Sequence, residues 1–142
     1  MSWNPQFDQS KTLFLFGGAV LVFLLITRFV FHRESENSEH SLPQVQTNNF
    51  ESEVLIAETP VLVDFYADWC GPCRQMEPIL ADFARENPHL KVVQVNVDEN
   101  RELADRYHID AIPTFLVFKK GEMTTQRSGR IDKDELKAMI DR

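Results

Sequence analysis

Cys70 and Cys73 are the only cysteines in the chain, and they lie three residues apart in Asp64-Phe65-Tyr66-Ala67-Asp68-Trp69-Cys70-Gly71-Pro72-Cys73. This stretch leaves an apolar strand, turns, and enters a helix. Positions three apart share a helix face, so the two sulfurs can close a disulfide across one tight turn. A helix starting at Gly71 or Pro72 puts Cys70 beside unpaired amide N–H groups, where the helix dipole favours thiolate over thiol. Pro72 has no N–H to lose and its fixed φ suits a first turn. The spacing thus presents one reactive sulfur, Cys70, and shelters the other, Cys73. The competing readings are a buried structural pair or half a zinc site. Zinc needs two further ligands, and His89 and His108 each stand alone in the sequence.

The region around this stretch alternates strands and helices. Val61–Tyr66 is apolar except for Asp64 and reads as a central strand buried on both faces. Pro72–Asn87 reads as a helix with Met76, Ile79, Leu80 and Phe83 inward and Arg74, Glu77, Asp82 and Arg85 outward, kinked at Pro78. Lys91–Val97 is a strand and Glu99–Tyr107 a helix. Thr114–Lys119 and Met123–Ser128 form a hairpin about Lys120-Gly121, and Asp132–Asp141 is a closing helix with Leu136, Met139 and Ile140 inward. Upstream, Leu42–Gln46 is expected as a short edge strand, and Asn48 or Asn49 as the cap of a short helix running to about Glu58. Alternation followed by a hairpin implies a mixed sheet. Asp64 is the one charge in its strand. Buried, its carboxyl has a raised pKa and can act as a general acid/base for Cys73; the alternative is an Asp on a solvated sheet face.

Trp69-Cys70-Gly71-Pro72-Cys73, with Val61-Leu62-Val63-Asp64-Phe65 before it and Ile112-Pro113-Thr114 after it, resembles the thioredoxin family. The resemblance covers roughly residues 42–142. It implies an α/β thioredoxin fold, a mixed central sheet flanked by helices. It also implies a thiol–disulfide oxidoreductase that needs no cofactor and has no metal site. Cys70 and Cys73 would be its redox-active disulfide, Cys70 the nucleophile and Cys73 the resolving thiol, with Asp64 matching the family's buried Asp. The same resemblance implies a cis bond before Pro113, and a substrate surface made by Trp69, Gly71, Pro72, Ile112, Pro113 and Gly129. Gly-Pro between the cysteines resembles the reducing members, so reduction of disulfide-containing protein substrates is expected. The electron donor would be a thioredoxin reductase or a membrane thiol carrier. One position departs from the family: Gln94 stands where a Lys is common, which should leave the Asp64 carboxylate less stabilised.

Residues 1–41 lie outside the resemblance. Leu13–Ile26 is an apolar run broken only by Gly17 and Gly18, and Phe29-Val30-Phe31 extends it. Counted from Leu13 to Phe31, a helix spans roughly 28 Å, about one hydrocarbon core. A cleaved signal peptide needs small residues at its end, and Arg28-Phe29-Val30-Phe31-His32-Arg33 offers none. The expected organisation is therefore a tail at 1–11, one N-terminal transmembrane helix at 12–31 and a polar linker at 32–41. A thioredoxin domain at 42–142 would follow, tethered on a membrane face that flanking charge does not decide. The rival readings are an exported thiol oxidoreductase for envelope disulfides or cytochrome maturation, and a non-catalytic docking module. Net charge is −7, and from residue 51 onward 18 Asp and Glu outnumber 12 Lys and Arg. No basic stripe is present, which argues against nucleic acid as a partner.

Overall fold

The structure, a computed structural model, describes residues 42–142; the expected tail, anchor and linker lie outside the described residues. Four strands form one mixed sheet in the order β2-β1-β3-β4: β1 (Val61–Tyr66), β2 (Lys91–Asn96), β3 (Thr114–Lys119) and β4 (Glu122–Ser128). β1 runs parallel to β2 and antiparallel to β3, and β3 pairs antiparallel with β4. The helices are α1 (Gly71–Glu86), α2 (Arg101–Arg106) and α3 (Lys133–Ile140). The parallel β1–β2 pair needs a crossover, and α1 is that crossover.

Strand alternation sorts the core into two faces. Leu62, Val92, Phe115 and Val117 lie on one, against Met76, Leu80 and Phe83 of α1 and Leu136 and Met139 of α3. Val61, Val63, Phe65, Val93, Val95, Leu116 and Phe118 lie on the other, against Phe50, Val54 and Leu103. Both faces of β1 are covered, as its apolar run requires. Asp64 shares parity with Leu62 and so faces α1, the helix that carries Cys73.

Local chemistry sets the element ends. Asp132 caps α3 with a reciprocal pair: Glu135 N–H donates to Asp132 Oδ1 at 2.8 Å, and Asp132 N–H donates to Glu135 Oε2 at 3.2 Å. Lys120 (φ 52°) and Gly121 (φ 82°) form the two-residue turn between β3 and β4. A Cβ at Gly121 would meet the Leu55 carbonyl oxygen at 2.7 Å, so glycine is needed there for space as well as for φ.

The N-terminal part of the domain differs from expectation. Leu42–Gln46 contributes one parallel bridge, Gln44 to Gln94, held by Val45 N–H to Gln94 O (2.8 Å) and Gln94 N–H to Pro43 O (2.9 Å). Pro43 has no N–H to extend the ladder. The short helix is a wide turn at Glu51–Leu55, closed by Ile56 N–H to Glu51 O at 3.0 Å. Asn49 does not cap it, because its Oδ1 turns back to accept from Gln46 N–H at 2.7 Å. Further along, α1 runs through Pro78 without a break. α2 is shorter than expected at both ends, and at its start the Asn100 side chain is engaged elsewhere: its Oδ1 accepts from Thr47 N–H at 2.8 Å, and its Nδ2 donates to Asn96 O at 3.0 Å.

Candidate active site

Cys70 is itself the cap of α1. Its backbone is extended (φ −79°, ψ 104°), and its Sγ accepts from Cys73 N–H at 3.2 Å, where a capping oxygen would sit. The helix begins at Gly71, the earlier of the two expected starts. Cys70 and Cys73 are joined in a disulfide, Cα to Cα 5.3 Å. Cys70 N–H donates to Ala67 O (3.0 Å), and Arg74 Nη1 donates to Asp68 O (2.8 Å), tying the turn to the helix. In this state both residues are buried to the same degree: Cys70 is 4% exposed and Cys73 3%. The expected contrast between a presented and a sheltered sulfur lies instead in position, Cys70 at the cap and Cys73 within the first turn.

Ala67, Cys70 and Cys73 form a small buried cluster, and Tyr66, Val97 and Ile112 pack against it. Ile112 precedes a cis Pro113, and Pro113 O accepts from Gly129 N–H at 2.8 Å. Gly129 has φ 88°, and nothing lies within 4 Å of where its Cβ would be, so the backbone there is open on that side. Thr114 fixes the adjoining loop through its hydroxyl, 2.7 Å from Ala111 O and 2.7 Å from Ser128 Oγ. Gly71 is half-buried and Pro72 exposed. Trp69 is 69% exposed and its Nε1 donates to Asp98 Oδ2 at 2.8 Å. Core packing therefore does not explain Trp69. Asp98, unmarked in the sequence reading, is held in turn by its N–H on Asn96 Oδ1 at 3.0 Å.

Asp64 is fully buried in the middle of the sheet, which rules out a solvated face. Its Oδ2 accepts from Gln94 Nε2 at 3.0 Å, and its Oδ1 has no partner. Burial pushes its pKa from 3.8 to about 7; the Gln94 bond opposes the rise and the Glu77 carboxylate on α1 adds to it. A cleft of about 340 Å³ reaches this region, lined by Tyr66, Asp68, Cys73, Arg74, Glu77 and Gln94 among others. Cys73 and the residue that holds Asp64 thus share one opening to solvent. Among the described residues, no group of three or more His, Cys, Asp or Glu is arranged to hold a metal ion.

A disulfide that opens and closes on the cap of a helix is the working part of a thiol–disulfide oxidoreductase. The thioredoxin family model matches residues 41–142, and the chain belongs to the thioredoxin family. It is 41% identical over 105 residues to a thioredoxin of Pseudomonas aeruginosa, covering 73% of this chain and 96% of that one. A thioredoxin of Chlamydia pneumoniae is 42% identical over 98 residues, 69% of this chain and 94% of that one. A similar chain comes from a structural study of the thiol-resolving mechanism of a yeast mitochondrial 1-Cys peroxiredoxin via glutathione and thioredoxin systems. It superposes with a TM-score of 0.65 at 27% identity, covering 71% of this chain and 94% of that one. The protein is a protein-disulfide oxidoreductase of this family.

Proposed function

We propose that the protein reduces disulfides in protein substrates while tethered to a membrane by residues 12–31. The observation that carries the chemistry is the Cys70–Cys73 disulfide on the α1 cap, with Cys73 sharing a cleft with Gln94, the hydrogen-bond partner of the buried Asp64 carboxylate. In the reduced enzyme, the Cys70 thiolate attacks one sulfur of a substrate disulfide. A Cys70–substrate disulfide forms, and the other substrate sulfur leaves as a thiolate and takes a proton. Cys73 then passes its proton to Asp64 and attacks Cys70 Sγ. The Cys70–Cys73 disulfide forms and the second substrate thiolate departs, protonated at the expense of Asp64 or solvent. The substrate gains two electrons and the dithiol loses two.

Each remaining residue has a physical part. The α1 amides stabilise the Cys70 thiolate. An Asp64 pKa of about 7 leaves the carboxylate able both to take and to return a proton near neutral pH. Ile112, Pro113 and Gly129 present backbone to an extended substrate segment, and Trp69, Gly71 and Pro72 form the surface beside it. A thioredoxin reductase or a membrane thiol carrier returns the two electrons. Among the described residues no helix is long and apolar enough to cross a membrane, so the tether rests on the composition of residues 12–31.

Two measurements test the two halves. Pre-reduced protein mixed anaerobically with a small disulfide-bonded protein should reduce one disulfide per chain, and no turnover would overturn the enzymatic half. Alkaline extraction of membranes should retain the full chain and release residues 42–142 alone. Release of both would overturn the tether. Labelling whole cells with an impermeant maleimide, with and without reductant, then assigns the face on which Cys70 lies.

A further inference from the structure

Gln94 faces Asp64 with its amide NH₂ and Gln44 with its amide oxygen. Gln94 and Asp64 are register partners across β1 and β2, and Gln94 and Gln44 are partners in the single parallel bridge. Their side chains make one chain of hydrogen bonds in which every donor points toward the carboxylate. Tyr66 Oη donates to Gln44 Oε1 (3.2 Å), Gln44 Nε2 donates to Gln94 Oε1 (3.2 Å), and Gln94 Nε2 donates to Asp64 Oδ2 (3.0 Å). It runs from exposed Gln44 through Gln94, 5% exposed, to fully buried Asp64. The Tyr66 phenol is held protonated by burial and by the Asp68 carboxylate, so it remains a donor.

We propose that Gln44 is a positioning residue for the reaction, locking the Gln94 amide with its NH₂ toward Asp64 so that a neutral relay supports the carboxylate. An amide bonded at one end only can turn over. With its Oε1 toward Asp64, Gln94 would accept a hydrogen bond from the protonated acid and favour the neutral form. Gln44 occupies that Oε1 and opposes the turn. Hydrogen bonds aligned in one direction also polarise one another, so the outer bond strengthens the inner one.

The groups around Asp64 leave this role to the relay. Glu77 on α1 is an anion and works against the carboxylate. Phe115, its partner on β3, is apolar, and Cys73 on α1 is neutral in the disulfide. Arg74, which lines the same cleft as Asp68, donates to the Asp68 carbonyl. No salt bridge to Asp64 forms among the described residues. The proposal rests on the reading of Asp64 as proton acceptor for Cys73, but its test reads Asp64 directly.

The test follows the Asp64 carboxyl carbon by NMR against pH, in the oxidised full-length chain held in a non-ionic detergent. Gln44→Met keeps the side-chain length and removes the donor; it should raise the Asp64 midpoint by about half a unit or more. Gln94→Met should raise it at least as far, and adding Gln44→Met to Gln94→Met should change nothing further. An unmoved midpoint in Gln44→Met overturns the proposal, and so does an equal increment in both backgrounds, since Gln44 would then act without Gln94. Tyr66→Phe, which removes only the outermost donor, should give a smaller rise of the same sign, and it supplies the test should Gln44→Met fail to fold. If Asp64 is not the proton acceptor, Asp64→Asn leaves the resolving rate unchanged while the titration result stands.

Discussion

Replacing Asp64 with Asn should stabilise the oxidised protein, by an amount that depends on pH. Asp64 titrates near 3.8 when unfolded and at about 7 when folded, so between these values the folded state binds the proton that the unfolded state has lost. Stability therefore falls as pH rises from about 4 to 7, by 2.303RT per unit, and is flat outside that window. At 1.36 kcal/mol per unit the full penalty at pH 8 is about 4 kcal/mol. Asn carries no such penalty. Its Oδ1 can accept the Gln94 Nε2 bond, and its Nδ2 takes the place of the unpartnered Asp64 Oδ1, as neutral as the protonated acid it replaces. Urea unfolding of both proteins from pH 4 to 8.5 should give similar stabilities at pH 4. From there the Asn protein should draw ahead, reaching an advantage of about 4 kcal/mol at pH 8. A difference that is constant with pH, or an Asn protein less stable at pH 8, would refute the view that burial of the carboxylate controls its titration.

Three other outcomes follow from the same geometry. On a preformed mixed disulfide at Cys70, release by Cys73 should accelerate with pH about a midpoint near 7. In Asp64→Asn the same rapid-mixing assay should show a rate lower by roughly 10²-fold and without that midpoint. Trp69→Ala should move stability by no more than about 0.5 kcal/mol in chemical denaturation, because the indole is exposed, while weakening turnover of protein substrates. Gly121→Ala should cost about 1–3 kcal/mol in the same measurement, since it sets a Cβ against the Leu55 carbonyl at a positive φ.

The parts of the fold legible in the sequence were those that a single stretch of chain decides. Val61–Tyr66 and Thr114–Lys119 are apolar runs closed by polar turns, and both strands have the expected bounds. The α1 core face at Met76, Leu80 and Phe83 follows helical spacing alone. The Lys120-Gly121 turn is equally local. Leu42–Gln46 was less legible, because its pairing depends on Gln94 far along the chain, and one residue of it, Pro43, cannot donate. Asn49 reads as a cap only until its side chain finds Gln46 N–H behind it.

The candidate site divides in the same way. Cys70, Gly71, Pro72 and Cys73 announce themselves by spacing, and the structure adds that Cys70 is the cap. The cis bond at Ile112–Pro113 had no local signal and rested on resemblance. Gln44 and Asp98 were missed because each acts through a tertiary hydrogen bond, to Gln94 and to Trp69. The departure from Lys at position 94 did point to the right place. What it could not reveal is that Gln94 donates to Asp64 and is itself held by a second glutamine.

The central claim is that Cys70 attacks substrate and Cys73 releases it. Cys73→Ser protein should be incubated with a small disulfide-bonded protein and the adduct mapped by mass spectrometry without reduction. A stable mixed disulfide at Cys70, absent from Cys70→Ser protein, is the expected result. Equal capture by Cys73 in the Cys70→Ser protein, or no adduct from either variant, would contradict it.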